Sequence, residues 1–115
     1  MSDDLIKGLR LINNEKYEDA FHVLLPLAKN GNAKAQARVG ILYQLGMGVE
    51  RNVKHAFYWL KKSANQGVGE AAHNLGTLYL TCEPDVASSP QKSKVWYNRA
   101  KDLGFIEAAV EWYEE

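Results

Sequence analysis

The sequence predicts an all-α protein, a right-handed α/α solenoid of antiparallel helix pairs with about seven helices. Two observations carry this. The phrase Val39-Gly40-Ile41-Leu42-Tyr43 returns 36 residues later as Leu75-Gly76-Thr77-Leu78-Tyr79. Within each unit the apolar residues then recur at helical spacing, as in Ala35, Val39, Leu42 and Tyr43.

The other marks keep the same period. A small-residue run precedes each phrase, Ala33-Lys34-Ala35 and Gly69-Glu70-Ala71-Ala72, and Trp59 and Trp96 follow at a spacing of 37. The closing phrases Ala64-Asn65-Gln66-Gly67 and Lys101-Asp102-Leu103-Gly104 match as well. Upstream, Ala20-Phe21, Leu24 and Ala28 to Gly31 anticipate Ala56-Phe57, Leu60 and Ala64 to Gly67; downstream, Glu107-Ala108-Ala109 repeats Glu70-Ala71-Ala72.

These marks place helices over about 3–13, 17–30, 33–45, 52–66, 69–81, 90–103 and 106–114. Asn52 is placed to cap the fourth, which turns Ala56, Trp59, Leu60 and Ser63 inward, and Gly67 ends it. Ser89-Pro90 starts the sixth, with Ser as cap and Pro where no backbone bond is lost. Gly8, Gly40 and Gly76 sit inside helices, where glycine costs about 1 kcal/mol against alanine. Their recurrence predicts a close approach by a partner helix. Pro26 falls inside the second helix and predicts a kink, since the apolar pattern continues through it. The chain thus divides into a front hairpin (1–32), two repeats (33–68 and 69–105, the latter with an irregular loop at 82–89) and a terminal capping helix (106–115).

These residues resemble Sel-one-like repeats, relatives of the tetratricopeptide repeat. The resemblance is fullest at Ala35, Val39 to Tyr43, Gly46-Met47-Gly48-Val49, Asn52, Ala56, Trp59 and Ala64 to Gly67, and covers roughly residues 17–112. Cys82-Glu83-Pro84-Asp85 departs from the pattern where a glycine-rich loop belongs, and the short Asn13 to Lys16 turn is more like a tetratricopeptide hairpin. The resemblance implies an adaptor or scaffold, most often bacterial, that assembles protein complexes.

Composition narrows the function classes. Lys plus Arg equals Asp plus Glu at 14 each, so the whole chain exerts no general pull on phosphate or anionic lipid. The expected partner is a protein or peptide, with no nucleic acid and no membrane. The single cysteine, Cys82, makes no internal disulfide, and the acidic Met1-Ser2-Asp3-Asp4 start is unlike a secretory leader. The expected location is cytoplasmic.

No catalytic constellation stands out. His22, His55 and His73 are dispersed without metal-ligand spacing, and Gly46-Met47-Gly48 follows a helix and lacks the Lys-Ser/Thr of a phosphate loop. No enzyme activity, cofactor or metal is expected. Hydrolase activity is a remote alternative; an immunity or inhibitor protein that blocks a partner enzyme is a nearer one.

In a solenoid the first helices line a concave groove. The groove-facing candidates are Lys34, Ala37, Arg38, Ile41 and Gln44, then Glu70, His73, Asn74, Thr77 and Leu80, and last Glu107, Val110, Glu111 and Glu114. Such a groove would run from basic (Lys34, Arg38) to acidic (Glu70, Glu107, Glu111) and orient a bipolar ligand. The rival surfaces are the ends, where Leu5, Ile6, Leu9 and Ile12, or Trp112 and Tyr113, would support weak self-association.

Overall fold

The computed structural model of the chain describes residues 3–81 and 88–105. Six helices follow in order: α1 (Asp3–Asn13), α2 (Tyr17–Lys29), α3 (Ala33–Leu45), α4 (Val53–Asn65), α5 (Gly69–Leu80) and α6 (Pro90–Asp102). No strand occurs among the described residues. The seventh expected helix, the 82–87 part of the irregular loop, Cys82 and the candidates Glu107, Val110, Glu111 and Glu114 lie outside them.

Each helix packs on its neighbours in sequence, and α3 also touches α5. Two apolar cores result. One holds Leu5, Phe21, Leu24, Val39, Leu42 and Trp59, and the other Ala37, Val53, Leu60, Leu75, Leu78 and Tyr79. Helices α3 and α4 serve both, because adjacent residues turn opposite ways: Trp59 faces the first core and Leu60 the second. The middle pair thus buries apolar surface on both of its neighbours, as a stacked repeat requires.

The three glycines inside the first helices hold the pairs together. A Cβ on Gly40 would lie 2.8 Å from Leu60 Cγ and 3.1 Å from the Leu60 backbone nitrogen; one on Gly76 would lie 2.8 Å from the Tyr97 ring, and one on Gly8 would overlap Leu24. The close approach expected from their recurrence is present in every hairpin.

The three hairpins also close on one shared hydrogen bond. The N–H of the residue that starts the second helix donates to the carbonyl three residues after the glycine: Lys16 to Leu11 (2.8 Å), Asn52 to Tyr43 (3.0 Å) and Ser89 to Tyr79 (2.7 Å). The connections between these points differ in length and composition, yet the second helix begins at the same place each time. Asn52 and Ser89 cap as expected, accepting from His55 N (3.0 Å) and Lys92 N (3.3 Å), and Asn32 caps α3 through Ala35 N (2.9 Å).

The turns between pairs are equally regular. Gly31, Gly67 and Gly104 take the left-handed conformation at φ 97°, 96° and 95°, the C-terminal cap geometry that glycine adopts without a Cβ penalty. After each, an N–H reaches back five residues to a helix carbonyl: Asn32 to Leu27, Val68 to Ser63 and Phe105 to Ala100. Helix α2 runs through Pro26, which lies on its exposed side where water can serve the carbonyl of His22.

The first junction carries a polar tie that periodicity did not announce. Buried Gln36 donates to the Ala28 carbonyl (3.1 Å) and accepts from Gln66 Nε2 (2.8 Å), which also donates to the Gly31 carbonyl (3.2 Å). Ser63, fully buried, donates to the Ala33 carbonyl at 2.7 Å. In the second junction Ala72 stands at the position of Gln36, and this network is absent there.

His73 and Ser93 are two less settled positions. The His73 ring lies 4.9 Å from that of Tyr97 and 5.1 Å from that of Phe105. Burial lowers its pKa below the ordinary 6.5, and the opposing pull of the Glu70 carboxylate does not overcome this. The Ser93 hydroxyl is buried with no hydrogen-bond partner among the described residues. The corresponding residue one repeat earlier is Ala56, also fully buried.

Three outcomes follow. Gly40→Ala should destabilise the fold by about 1–3 kcal/mol in urea unfolding, because the overlap with Leu60 outweighs the gain in helix propensity. Ser93→Ala should be neutral or stabilising by up to about 1 kcal/mol in the same assay, since it removes an unsatisfied buried hydroxyl. The lowered His73 pKa means that the unfolded chain takes up the proton first as pH falls. That contribution to stability is therefore whole above about pH 6.5 and is lost on acidification through 6.5 toward the lower folded value. The melting temperature should fall between pH 7.5 and 5.5, and His73→Phe should flatten that slope.

Candidate protein-binding groove

The exposed side of the first helices follows from which residues the two cores consume. On α3 the cores take Ala35, Ala37, Val39 and Leu42, leaving Lys34, Arg38, Ile41 and Leu45 at i, i+4, i+7 and i+11 as one stripe. Lys34 is exposed, Arg38, Ile41 and Gln44 are half-buried, and Leu45 is 57% exposed. On α5 the matching stripe is Glu70, Asn74 and Thr77, all half-buried, with Leu80 48% exposed.

A direct contact joins the two stripes. Arg38 Nη1 lies 3.1 Å from Glu70 Oε1, bracing α3 to α5 across the junction between pairs. The basic and acidic residues expected to mark opposite ends of the groove neutralise one another at its centre. Other polar candidates are also engaged internally: Asn74 Nδ2 donates to the Glu70 carbonyl (2.9 Å), and Thr77 Oγ1 shares a hydrogen bond with Tyr97 Oη (2.8 Å).

Two candidates need correction. Ala37 is only 2% exposed and belongs to the second core, so it has no surface to offer a partner. It sits one residue from the exposed stripe, and the next pair covers it. His73, its counterpart on α5, is half-buried between Tyr97 and Phe105 and serves the fold before any ligand. The expected front surface also shrinks: Leu5 is 2% exposed in the first core, Leu9 and Ile12 are half-buried, and Ile6 is 36% exposed.

Leu45 and Ile6 also lie exposed on the first helices, beyond the candidates that the repeat pattern indicates. The helical glycine would have found Ile6, which precedes Gly8 by two positions as Arg38 precedes Gly40 and Asn74 precedes Gly76. Leu45 follows from extending the stripe one turn beyond Ile41. With them the strip gains apolar surface at Ile6, Ile41, Leu45 and Leu80 around a polar centre.

Among the described residues no three His, Cys, Asp or Glu side chains gather where they would hold a metal ion. No described helix is long and apolar enough to cross a membrane.

The chain matches the Sel1 repeat over residues 33–68 and 69–105. It is 40% identical over 78 residues to a putative sel1-like repeat-containing protein of Acanthamoeba polyphaga mimivirus, covering 68% of this chain and 14% of that protein. It is 33% identical to the Arabidopsis thaliana ERAD-associated E3 ubiquitin-protein ligase component HRD3A, covering 63% of this chain and 11% of that protein. It is 38% identical to the rat DAP3-binding cell death enhancer 1, covering 45% of this chain and 10% of that protein. The chain therefore spans less than a fifth of these relatives.

Among solved structures, a Sel1 repeat protein from Oxalobacter formigenes superposes with a TM-score of 0.85 at 31% identity, covering 96% of this chain and 44% of that one. A protective antigen of uropathogenic Escherichia coli with the same fold gives 0.79 at 26% identity, covering 88% of this chain and 22% of that one. These matches extend from a virus through bacteria to plant and animal, so they assign no one source to the expected bacterial pattern. With two repeats matched and the fold shared with a solved Sel1 repeat protein, this chain is a member of the Sel1 repeat family.

Proposed function

We propose that this chain is a protein-interaction module, an adaptor or scaffold of the cytoplasm. It holds a protein or peptide partner along the exposed stripes of α1, α3 and α5. The observation that carries this reading is the strip itself. Ile6, Leu45 and Leu80 leave apolar surface outside both cores, and half-buried Ile41 adds to it while packing on the second core. Lys34 and the Arg38–Glu70 pair supply polar groups that fix a ligand's orientation.

Two of the relatives are named for assembly, one as a ligase component and one as a DAP3-binding protein. That use of the repeat supports the same role here. Stacked repeats reach their partners through a surface that varies while the core recurs. Arg38 against Asn74 and Ile41 against Thr77 show this variation.

Affinity capture from the native cell, followed by mass spectrometry, tests the proposal. Leu45→Asp with Leu80→Asp, both at exposed positions, should lose the captured partner by at least about tenfold in affinity, roughly 1.4 kcal/mol, while leaving the fold intact. Exchanging Arg38→Glu and Glu70→Arg together keeps an internal ion pair of small worth, under about 1 kcal/mol. It reverses the surface polarity and should weaken binding with little change in melting temperature. Capture that survives both changes and is abolished by Trp112→Ala would move the site to the end of the solenoid.

A further inference from the structure

The opposite side of the molecule carries a second, chemically different surface. Between α2 and α4 lies a cleft of about 550 Å³, within the usual range for ligand pockets. Leu25, Tyr43, Tyr58 and Trp59 form its apolar walls, and Lys29, Lys54 and His55 form its polar rim. No carboxylate lines it.

The repeat builds this cleft from ordinary parts. Asn52 caps α4 through the His55 backbone N–H and so fixes where His55 begins its turn. The His55 ring then lies 4.9 Å from that of Tyr43. Tyr43 is anchored from below by an edge contact with Phe21 at 5.3 Å. Tyr58 is 53% exposed and meets Trp59 edge-on at 5.0 Å. A ring this open on a packed helix offers apolar surface outside the core.

Charge gives the occupant's sign. Helix α4 carries Lys54, Lys61 and Lys62 and no acid. Among the described residues none of these ammonium groups, nor that of Lys29, has a carboxylate within ion-pair distance. Lys61 and Lys62 instead lie over the rings of Phe57 (5.9 Å) and Tyr58 (5.2 Å). The positive region is also bounded. Glu15, Glu18 and Asp19 gather around the start of α2, so a long phosphate backbone following the helix would run into like charge. A short acidic segment with one bulky apolar side chain meets no such barrier: its ring enters between Tyr58 and Tyr43, and its carboxylates reach Lys29 and Lys54.

We propose that the α2–α4 cleft is a second protein-docking site, on the side away from the groove, that takes an acidic peptide segment anchored by an aromatic residue. Fluorescence polarisation with a labelled heptapeptide, Asp-Glu-Asp-Trp-Asp-Glu-Asp, tests it on the full chain. Binding should weaken by about tenfold or more in Lys54→Glu and in Tyr58→Ala, both exposed positions whose folding circular dichroism checks. It should weaken as much when the peptide's tryptophan is replaced by alanine, and it should stay within about twofold in Leu45→Asp, an exposed position on the groove side. Lys29→Glu provides an independent variant on the other wall. Absence of binding up to about 1 mM peptide overturns the proposal. So does equal affinity for the alanine peptide, which would leave only diffuse charge attraction. Tighter binding of an oligouridine than of the peptide would also overturn it, assigning the surface to nucleic acid.

Discussion

The close contact between the two helices of each pair is the constraint on which the rest of this solenoid depends. Gly8, Gly40 and Gly76 remove the side chain at the point where Leu24, Leu60 and Tyr97 enter. That entry brings the backbones together and turns Leu60 and Trp59 toward separate cores. Glycine is a poor helix former, and about 1 kcal/mol of propensity is given up at each position for this approach. The return is a pair thin enough to bury apolar surface on both of its neighbours.

Regular stacking also needs each helix to start in the same place, and the backbone secures this more tightly than the side chains do. The Lys16, Asn52 and Ser89 N–H groups all return to the carbonyl three residues after the helical glycine. A loop may therefore vary between these points without displacing the helix that follows. Between pairs, the left-handed glycines at nearly identical φ reverse the chain by the same angle each time. The period of 36–37 residues is the outward sign of these two fixed turns.

The same regularity divides the surface into two chemistries. First helices lose most of their side chains to the cores and show a narrow strip, polar at the Arg38–Glu70 brace and apolar around it. The free sides of α4 and α6 are basic, with Lys54, Lys61, Lys62, Lys92, Lys94, Arg99 and Lys101 against Asp102 alone, whereas α2 opens on Glu18 and Asp19. A chain of zero net charge is thus not an uncharged surface, because like charges gather on particular helices.

The sequence by itself determined the repeat, the helix order, the caps at Asn52 and Ser89, the inward stripe of Ala35, Val39 and Leu42, and the close approach at the glycines. All of these are written in local spacing, and local spacing is what a helix obeys. The tertiary structure alone decided which residues beside the stripe stay free. Ala37 and His73 have the helical phase of surface residues, yet the next pair, or Tyr97 and Phe105, lies over them. Arg38 and Glu70 are 32 residues apart and read as opposite ends of a field until stacking makes them partners. Gln36 looks like a surface polar residue until the junction buries it with its hydrogen bonds made, and the inward phase of Ser63 does not say that its hydroxyl meets the Ala33 carbonyl. Each of these outcomes is fixed by contact between pairs, which periodicity within one helix does not encode. The solenoid was legible before its surface was, because a repeat states its own period and leaves to stacking what each unit covers.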